Sequence, residues 1–490
     1  MRRANNILLV LLSYGLVYAQ GTGNRFQSPV FSQLKVTKNV LYGNNVSFNN
    51  APVDLYMDVY EPIGDTMARR PVIILFHSGS FLPPSFASAV FAKAPIGTRE
   101  DSGIVALCIE FARRGYVAIS ADHRVGWNPQ ATTQELRAQS IIQAVWRAVQ
   151  DARALVRYLR KDAATTNQWR IDPNRIAMGG SSSGAYIGLH VAYLNLPSEF
   201  DNNKFKLQDG TMFVDTTQPG MDRGSGPNQS GNAFEGGSGH PGYPSHIQAV
   251  LNLGGALGDT SFVQNENVPV ISLHGVQDPT TPYTSGIVLT AVGNYPIIEV
   301  FGSYSLTQNL IAKGNQTALL PDFSGDVPFP GLYPLNGAGF EPFGWYSSSG
   351  PAEIASAKRY VDTIIWFSTP RLFKVLNLPT IQMPVANTYS ISQIVVLSLS
   401  EATAGDLQAY LSVYPNPATL PSVTIESPTA SIREISLYRL TGERVLSRSL
   451  IQPSTSYLLE LPDNLSQGMY LLRVETDRGI FTERLSYMQP

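Results

Sequence analysis

The chain has 490 residues, of which 43% are hydrophobic and 15% are charged, with 35 basic and 37 acidic side chains. This length corresponds to about three domains, or to one large domain and one small domain. A formal net charge of -2 leaves no excess of lysine and arginine to neutralise a phosphate backbone, which argues against nucleic acid as the main partner. A single cysteine, Cys108, excludes a disulfide framework and a cysteine-ligated zinc or iron-sulfur site. We therefore expect no metal and no cofactor, and any chemistry must come from Ser, His, Asp, Glu or backbone groups.

The first segment has the order of a secretory signal peptide. Met1, Arg2 and Arg3 precede an apolar run over 7–17, and small residues end at Ala19. The run is too short to span a bilayer, although an uncleaved N-terminal anchor is the alternative. No later stretch reaches 18 consecutive apolar residues. We therefore predict a signal peptide over 1–19 and an exported mature protein without a transmembrane segment.

The middle of the chain alternates short apolar runs with helical patterns. Apolar runs of this kind are typical of parallel strands buried between two helix layers, and residues 53–60 alternate as an antiparallel edge strand does. This order predicts a doubly wound, mostly parallel α/β sheet whose ligand site lies at the carboxyl ends of the strands. The predicted strands are 53–60, 71–76, 116–121, 175–178, 247–253, 268–274 and 297–301, and the predicted helices are 137–160 and 185–194.

A glycine-serine turn joins the strand at 175–178 to the helix at 185–194. Gly180 to Gly184 read GSSSG, which matches G-x-S-x-G. In this setting the glycines allow a tight turn that lifts the Ser182 hydroxyl above the sheet, and we predict that Ser182 is a nucleophile. The alternatives are a turn that only caps a helix or a phosphate-binding loop, although no lysine follows as a Walker loop requires.

A second loop, 77–81, directly follows the first central strand. Its backbone N-H groups at Gly79 and Ser80, with that of Ser183, are predicted to stabilise an oxyanion in acyl transfer. The segment HSGS resembles the HGGG-type oxyanion loop of esterases and lipases and departs from it at two of three glycines. His77 is interpreted as a structural residue that fixes the loop, with a catalytic role as the alternative.

A carboxylate, Asp278, follows the predicted strand 268–274. Hydrolases with a G-x-S-x-G turn carry their serine, acid and histidine in that order along the chain. Asp278 is at the position expected for the acid, which orients the histidine base. The alternative is a turn, because Asp before Pro279 is common there.

These segments together resemble the α/β-hydrolase family of secreted carboxylesterases, over about 320 residues. The resemblance implies an α/β-hydrolase domain over 20–370 with Ser182 as nucleophile and Asp278 as acid. The segments that carry it include VYEP at 59–62, RPVIILFHSGSF from 70, RIDPNRIAMGGSSSG from 170, ISLHGVQDPTTPY from 271 and VFGS at 300–303.

The chain departs from that family at the general base. All six histidines precede Asp278, and the stretch that matches the family's GAGH-x-P reads GAGFEP, so Phe340 stands where the imidazole is expected. Phenylalanine cannot accept a proton, and Ser182 lacks its activator unless another group replaces it. The candidates are His240 and His246, in and directly after a glycine-rich insert, then Glu341 if burial raises its pKa, and His123, which is more easily read as a packed loop residue.

The last part of the chain has the sequence pattern of a small β-sandwich. Short β-branched and aromatic runs alternate with turn residues. The motifs YPNP at 414–417, LYRLTGERV at 437–445 and LSQGMYLLRVETDRG at 465–479 resemble the C-terminal sorting domain of the type IX secretion pathway. An immunoglobulin-like ligand-binding module is the alternative. We predict a linker over 371–408 and a sorting domain over 409–490, which implies contact with the type IX machinery and a secreted or cell-surface location.

Two functions stay open at this point. Intact Ser182 and Asp278 favour a secreted serine esterase of low or unusual activity, which would act on a small-molecule ester. Phe340 favours a surface protein that keeps the pocket and binds a ligand without chemistry. Aromatic residues near the expected mouth suit either function, although such clusters are more often core: Phe81, Trp127, Phe340, Phe343, Trp345 and Tyr346.

Overall fold

A computed structural model describes most of the chain. The described residues are 21–83, 97–214, 240, 242–264, 268–314, 318–319, 328–329, 332–335, 351–386, 388–395, 412–414, 418, 421–427, 431–439, 444–477 and 479–487. The predicted signal peptide, Phe340 and Glu341 lie outside these ranges. Within them, no helix combines the length and the apolar character needed to cross a bilayer.

A nine-stranded mixed sheet organises the large domain. Its strands are β2 (Gln33–Val46), β3 (Pro52–Pro62), β4 (Arg70–Phe76), β5 (Val117–Ala121), β6 (Ile171–Ser181), β7 (Ala249–Leu253), β9 (Val270–Gly275), β14 (Leu332–Leu335) and β16 (Ser390–Val395). The spatial order is β14-β9-β7-β6-β4-β5-β3-β2-β16. The six strands from β14 to β5 are mutually parallel, while β3 pairs antiparallel with both β5 and β2. The doubly wound α/β fold and the antiparallel direction of the strand at 53–60 are thus confirmed. Its predicted place at the edge is wrong, because β2 and β16 lie outside β3 and most of its side chains are buried.

Helices cover both faces of the sheet. They are α1 (Ser102–Ala112), α2 (Gln134–Ala164), α3 (Ser183–Tyr193), α4 (Ser303–Ala312) and α5 (Pro351–Val375). Strand β4 shows how the two layers form, because its side chains alternate between them. Ile74 packs in the core formed with α2 and α3, whereas Ile73 and Leu75 pack in the core formed with α1 and α5. All seven residues of β4 are buried, which explains the apolar run that follows Arg70.

Helix α2 is longer than its predicted core, 137–160. The Thr133 side chain accepts a hydrogen bond from the backbone N-H of Leu136, which caps the first turn. Glu135 in the first turn and Lys161 in the last turn complement the helix dipole. Short 3-10 helices occur at Pro197–Phe200, Asn203–Phe205 and Thr260–Phe262.

One predicted strand belongs to a different sheet. Residues 297–301 lie in β11 (Pro296–Gly302), which pairs antiparallel with β10 (Ser285–Leu289) and β8 (Ala256–Leu257). The placement in the central sheet was therefore wrong. β11 has exposed as well as buried positions, as suits a sheet with one face toward solvent, and β14 takes the position next to β9.

Small sheets complete the described structure. β1 (Thr22–Asn24) pairs with β15 (Gln382–Pro384), and β12 (Ala318–Leu319) pairs with β13 (Pro328–Phe329). The segment predicted as a linker, 371–408, begins inside α5 and supplies β15 and β16, the latter parallel to β2. The C-terminal strands form a three-stranded and a four-stranded sheet with their own hydrophobic core. They are β17 (Ser412–Tyr414), β18 (Ser422–Glu426), β19 (Ile432–Arg439), β20 (Arg444–Ser454), β21 (Ser456–Glu460), β22 (Gly468–Thr476) and β23 (Gly479–Tyr487).

Candidate active site

Ser182 occupies a strained turn between β6 and α3. Its backbone has φ +50° and ψ -116°, in the left-handed half of conformational space that side chains rarely adopt. Its N-H donates to the carbonyl oxygen of Leu253 in β7 at 2.9 Å, which ties the turn to the sheet. A Cβ atom at Gly180 or at Gly184 would lie 2.1 Å from the carbonyl oxygen of Phe76. The two glycines are therefore required for the close approach that places Ser182 at the carboxyl end of β6.

Ser182 lines a cavity of about 640 Å³ above the carboxyl ends of the strands. This volume is in the range that holds a drug-sized ligand. Two elements supply most of its apolar wall, the N-terminal half of α2 and the β10-β11 hairpin. The side chains from these elements include Ile141, Ile142 and Val145 from α2, and Val288, Leu289 and Val292 from the hairpin.

The loop after β4 presents backbone donors next to this serine. Gly79, Ser80 and Phe81 have consecutive positive φ angles of +119°, +53° and +57°. The Trp127 indole N-H donates to the Ser80 carbonyl at 2.9 Å, and the Gly126 N-H donates to the Phe81 carbonyl at 2.7 Å. Within the described ranges, the N-H groups of Gly79 and Ser80 donate no hydrogen bond. Ser80 also lines the cavity, so this loop can offer its donors there.

His77 and His123 form a buried pair beside this loop. Their rings stack with centroids 4.3 Å apart, and His77 Nδ1 lies 2.6 Å from the Ser78 carbonyl oxygen. Burial lowers the pKa of His77 to about 4, and burial with the neighbouring His77 lowers the pKa of His123. Both rings are therefore neutral near pH 7. Neither lines the cavity, and this fits the structural role predicted for His77.

Asp278 lies in the turn after β9, beside the cavity residues Thr280 and Thr281. Its Oδ1 accepts from the N-H of Thr280 at 2.8 Å, the hydroxyl of Thr280 at 2.8 Å and the N-H of Thr281 at 3.0 Å. Its side chain is fully buried, and in the described part of the chain Oδ2 has no hydrogen-bond partner. His274 Nε2 lies 3.5 Å from Oδ2, longer than a normal hydrogen bond, so this buried oxygen can still accept from a further donor.

A buried polar chain runs from the centre of the sheet to Asp278. Asn252 donates to the Ser303 hydroxyl at 2.8 Å, and Ser303 Oγ lies 2.7 Å from His274 Nδ1. His274 Nε2 faces two acceptors, the Thr281 carbonyl at 3.1 Å and Asp278 Oδ2 at 3.5 Å. Nε2 therefore carries the ring proton and Nδ1 accepts from Ser303. This chain holds the Asp278 turn against the end of β9.

The histidines predicted as substitute bases are placed elsewhere. His240 Nε2 lies 3.1 Å from the carbonyl oxygen of Tyr42, and its ring packs on Tyr158. His246 is exposed just before the amino end of β7, whereas Ser182 follows the carboxyl end of β6. The structure does not bring either histidine to the cavity lining. Phe340 and Glu341 lie outside the described residues, five and six positions after the end of β14.

Comparisons with known proteins agree with this architecture. Residues 57–216 match the sequence profile of BD-FAE, an esterase-like α/β-hydrolase family, and residues 412–487 match the secretion system C-terminal sorting domain. The chain carries a BD-FAE domain and a C-terminal sorting domain. The sorting domain indicates export through the type IX secretion system, to the cell surface or the medium. No curated protein matches the chain.

Solved structures of esterase 2 from Thermogutta terrifontis are among those similar to this chain, at low identity and low TM-score. The butyrate-bound form is 16% identical, with 67% of this chain and 91% of that chain covered and a TM-score of 0.36. The form phosphorylated by paraoxon is 17% identical, with coverages of 66% and 90% and a TM-score of 0.34. The apo form is 18% identical, with coverages of 67% and 91% and a TM-score of 0.35.

One histidine, His190, lines the cavity together with Ser182, but both of its ring nitrogens are hydrogen-bonded. His190 Nδ1 lies 2.7 Å from the Tyr186 carbonyl oxygen, and Nε2 accepts from the Gly258 N-H at 3.1 Å. Because a carbonyl only accepts, Nδ1 carries the proton. Burial lowers the pKa of His190 to about 4. His190 is therefore a neutral structural residue, and neither ring nitrogen is free to activate Ser182.

This burial predicts a pH-dependent contribution to stability. A histidine titrates near pH 6.5 in the unfolded chain and near 4 at the native His190. Between these values the unfolded state binds more protons, so the stability that neutral His190 provides above pH 6.5 is lost as the pH falls toward 4. We expect the loss in unfolding free energy caused by His190→Gln to be larger at pH 7.5 than at pH 4.5, by up to about 3 kcal/mol.

Urea unfolding at the two pH values measures this difference. The exposed His246 provides the matched control. Desolvation and the nearby Arg160 lower its pKa in the same direction, but because the residue is exposed, His246→Gln should show a smaller difference between the two pH values. An equal effect of His190→Gln at pH 7.5 and pH 4.5 would show that native His190 titrates like a free imidazole.

Sequence reasoning missed most of the wall of the cavity that Ser182 lines. The hairpin formed by β10 and β11, the side chain of Tyr186 and the cation of Arg137 were not predicted to line a site. The signal for the hairpin was present, since the apolar run GIVLT at 286–290 precedes a turn at Gly293 and Asn294. No local pattern could have placed that hairpin over α2.

Proposed function

We propose that the BD-FAE domain is an exported carboxylic-ester hydrolase that uses Ser182 as its nucleophile and acts slowly because Phe340 replaces the histidine base. One observation carries the proposal. Ser182 is held at a strained turn, lines an apolar cavity of about 640 Å³ and has beside it a loop whose Gly79 and Ser80 N-H groups donate no hydrogen bond within the described residues. Such strain is typical of a nucleophile that must stand clear of its sheet.

The chemistry follows from these positions. Ser182 Oγ attacks the ester carbonyl, the hydroxyl proton passes to solvent, and the N-H groups of Gly79, Ser80 and Ser183 stabilise the oxyanion. The oxyanion collapses and breaks the ester C–O bond, and the leaving alkoxide takes a proton from solvent to become the alcohol. Water then hydrolyses the acyl-serine, which releases the acid and restores the Ser182 hydroxyl. In serine proteases, loss of the base lowers kcat about a millionfold. The oxyanion donors and substrate binding alone still give a rate about 10³–10⁴ times that of the reaction in water. We place this enzyme in that residual range.

Turnover of 4-nitrophenyl butyrate by the full chain tests the proposal. The wild-type protein should release nitrophenol above the buffer rate, and Ser182→Ala should return it to that rate. Ser181→Ala is the matched control, because the neighbouring hydroxyl is buried and does not line the cavity. Equal rates for wild type and Ser182→Ala would refute the nucleophile.

A second function, ligand binding without chemistry, is favoured by Phe340 itself. If wild type and Ser182→Ala are equally inert and only Phe340→His gains turnover, the native domain is a binding protein that keeps the hydrolase cavity. Isothermal titration with a butyrate ester would then show equal affinity for wild type and Ser182→Ala.

The oxyanion loop provides a graded prediction. Trp127→Phe keeps the aromatic ring but removes the indole N-H that holds the Ser80 carbonyl. A net hydrogen bond contributes about 1 kcal/mol. We expect kcat to fall about fivefold as the loop loses this bond, and the melting temperature to fall by a few degrees because Trp127 is buried. Trp366→Phe, at a residue that is 40% exposed, is the control and should leave kcat unchanged. An unchanged kcat in Trp127→Phe would show that this hydrogen bond does not fix the catalytic conformation of the loop.

A further inference from the structure

Arg137 is a buried cation in the wall of the cavity. It lies in the first turn of α2, is 7% exposed and lines the same cavity as Ser182. Its Nε donates to the Pro296 carbonyl at 3.1 Å, and its Nη1 donates to the Ala131 carbonyl at 2.7 Å. The guanidinium also lies 5.3 Å from the centre of the Tyr295 ring. Every one of these partners is neutral.

No carboxylate pairs with Arg137 in the described part of the chain, and its Nη2 donates no hydrogen bond there. Buried charges in proteins are normally paired, and several arginines of this chain follow that rule. Arg124 and Asp151, both fully buried, pair at 2.7 Å, and Arg25 pairs with Asp65 at 2.6 Å. Arg160 is buried with only backbone carbonyl partners in the described part of the chain, but it does not line the cavity. A cation left without an anion at a ligand cavity indicates that the ligand supplies the anion.

We infer that the cavity takes an ester with an apolar body and one ionised carboxylate, which pairs with Arg137. A guanidinium matches a carboxylate in geometry and stabilises it more strongly than a neutral donor does. A dianion would leave a second charge unpaired among apolar side chains such as Ile141, Val145 and Val288, so a single negative charge fits best. The inference rests on the proposed function only in treating the bound ligand as an ester.

Binding to full-length Ser182→Ala protein tests the inference without turnover. Monomethyl suberate carries one ester, six methylene groups and one carboxylate, and dimethyl suberate is its neutral counterpart. We expect isothermal titration to give monomethyl suberate an affinity at least about tenfold higher than dimethyl suberate. The methyl ester of suberamic acid, neutral and of the same length, should bind as weakly as the diester.

Variants of Arg137 in the Ser182→Ala background assign the preference to this side chain. Arg137→Gln should bring the affinity ratio to about one, and Arg137→Lys should keep a preference of the same sign. Arg160→Gln is the matched control. Arg160 is also buried and also donates to two backbone carbonyls, those of Pro173 and Pro244, but it does not line the cavity.

The outcomes separate this inference from the proposed function. Equal binding of the three ligands, absence of binding by all three, or an unchanged preference in Arg137→Gln would each overturn the carboxylate assignment. If Arg137→Gln does not fold, the comparison of monoester with amide in Ser182→Ala alone decides. None of these results depends on whether Ser182 turns over 4-nitrophenyl butyrate. The assignment of Ser182 as nucleophile can therefore be refuted while the carboxylate site is supported, and the carboxylate site can be refuted while the nucleophile is supported.

Discussion

Phe340→His is expected to raise kcat/KM for 4-nitrophenyl butyrate by at least about a hundredfold, since a positioned general base contributes roughly 10²–10⁴. The reason lies at Asp278. Its carboxylate is fully buried, three donors hold Oδ1, and Oδ2 has no hydrogen-bond partner in the described part of the chain. An imidazole at 340 that serves as the general base would need such a carboxylate to hold its tautomer, and Asp278 can supply it.

The expected gain should depend on the Asp278 carboxylate. Asp278→Asn in the Phe340→His background should remove most of it, because an amide can no longer stabilise the charged ring. Phe340→Gln is the matched control, with a polar side chain that cannot act as a base, and should gain nothing. A gain that survives Asp278→Asn would mean that Asp278 is only a turn residue, as its position before Pro279 allows.

Gly179→Ala is expected to lower the free energy of unfolding by about 4 kcal/mol or more, or to leave the protein insoluble. A Cβ atom there would lie 1.8 Å from the carbonyl oxygen of Leu251 and 2.7 Å from its carbonyl carbon. These are backbone atoms of the central strand β7, which cannot move without breaking its parallel pairing with β6. Thermal and urea unfolding of the purified variant measure the loss.

Gly64→Ala is the matched control for this substitution. Gly64 has φ +74°, and no atom lies within 4 Å of the point that a Cβ atom would occupy, so alanine there adds only left-handed backbone strain. That strain costs about 1 kcal/mol. If Gly179→Ala and Gly64→Ala lower the free energy of unfolding by similar amounts, the close approach of β6 to β7 does not explain why residue 179 is glycine.

The parts of the site that are local in sequence could be predicted. The G-x-S-x-G spacing, with apolar strand residues before it and helical residues after it, fixes a strand-turn-helix unit, and the structure has that unit at β6 and α3. The loop at Gly79 and the turn at Asp278 were placed by the same logic, because the carboxyl ends of neighbouring parallel strands lie at one edge of the sheet. The roles of these residues stay predictions.

The parts that depend on tertiary packing could not be predicted. The run over 297–301 has the composition of a buried strand, and only its antiparallel pairing with β10 and β8 places it outside the central sheet. Arg137 reads as an ordinary charge on an amphipathic helix. Its burial follows from β10 and β11 folding over the start of α2, so that the Pro296 carbonyl receives its Nε-H. The number of histidines in the sequence also could not show which of them are available as a base. His190 and His274 are buried and hydrogen-bonded, and the spacing of residues in the sequence does not reveal this.

Covalent trapping tests the central claim most directly. A fluorophosphonate of butyl chain length should modify the full-length protein once, and peptide mapping by mass spectrometry should place the adduct on Ser182. Ser182→Ala should take up no label, Ser181→Ala should be labelled as the wild type is, and Phe340→His should be labelled faster. An unlabelled wild-type protein, or an adduct on any residue other than Ser182, would contradict the assignment of Ser182 as the nucleophile of an exported ester hydrolase.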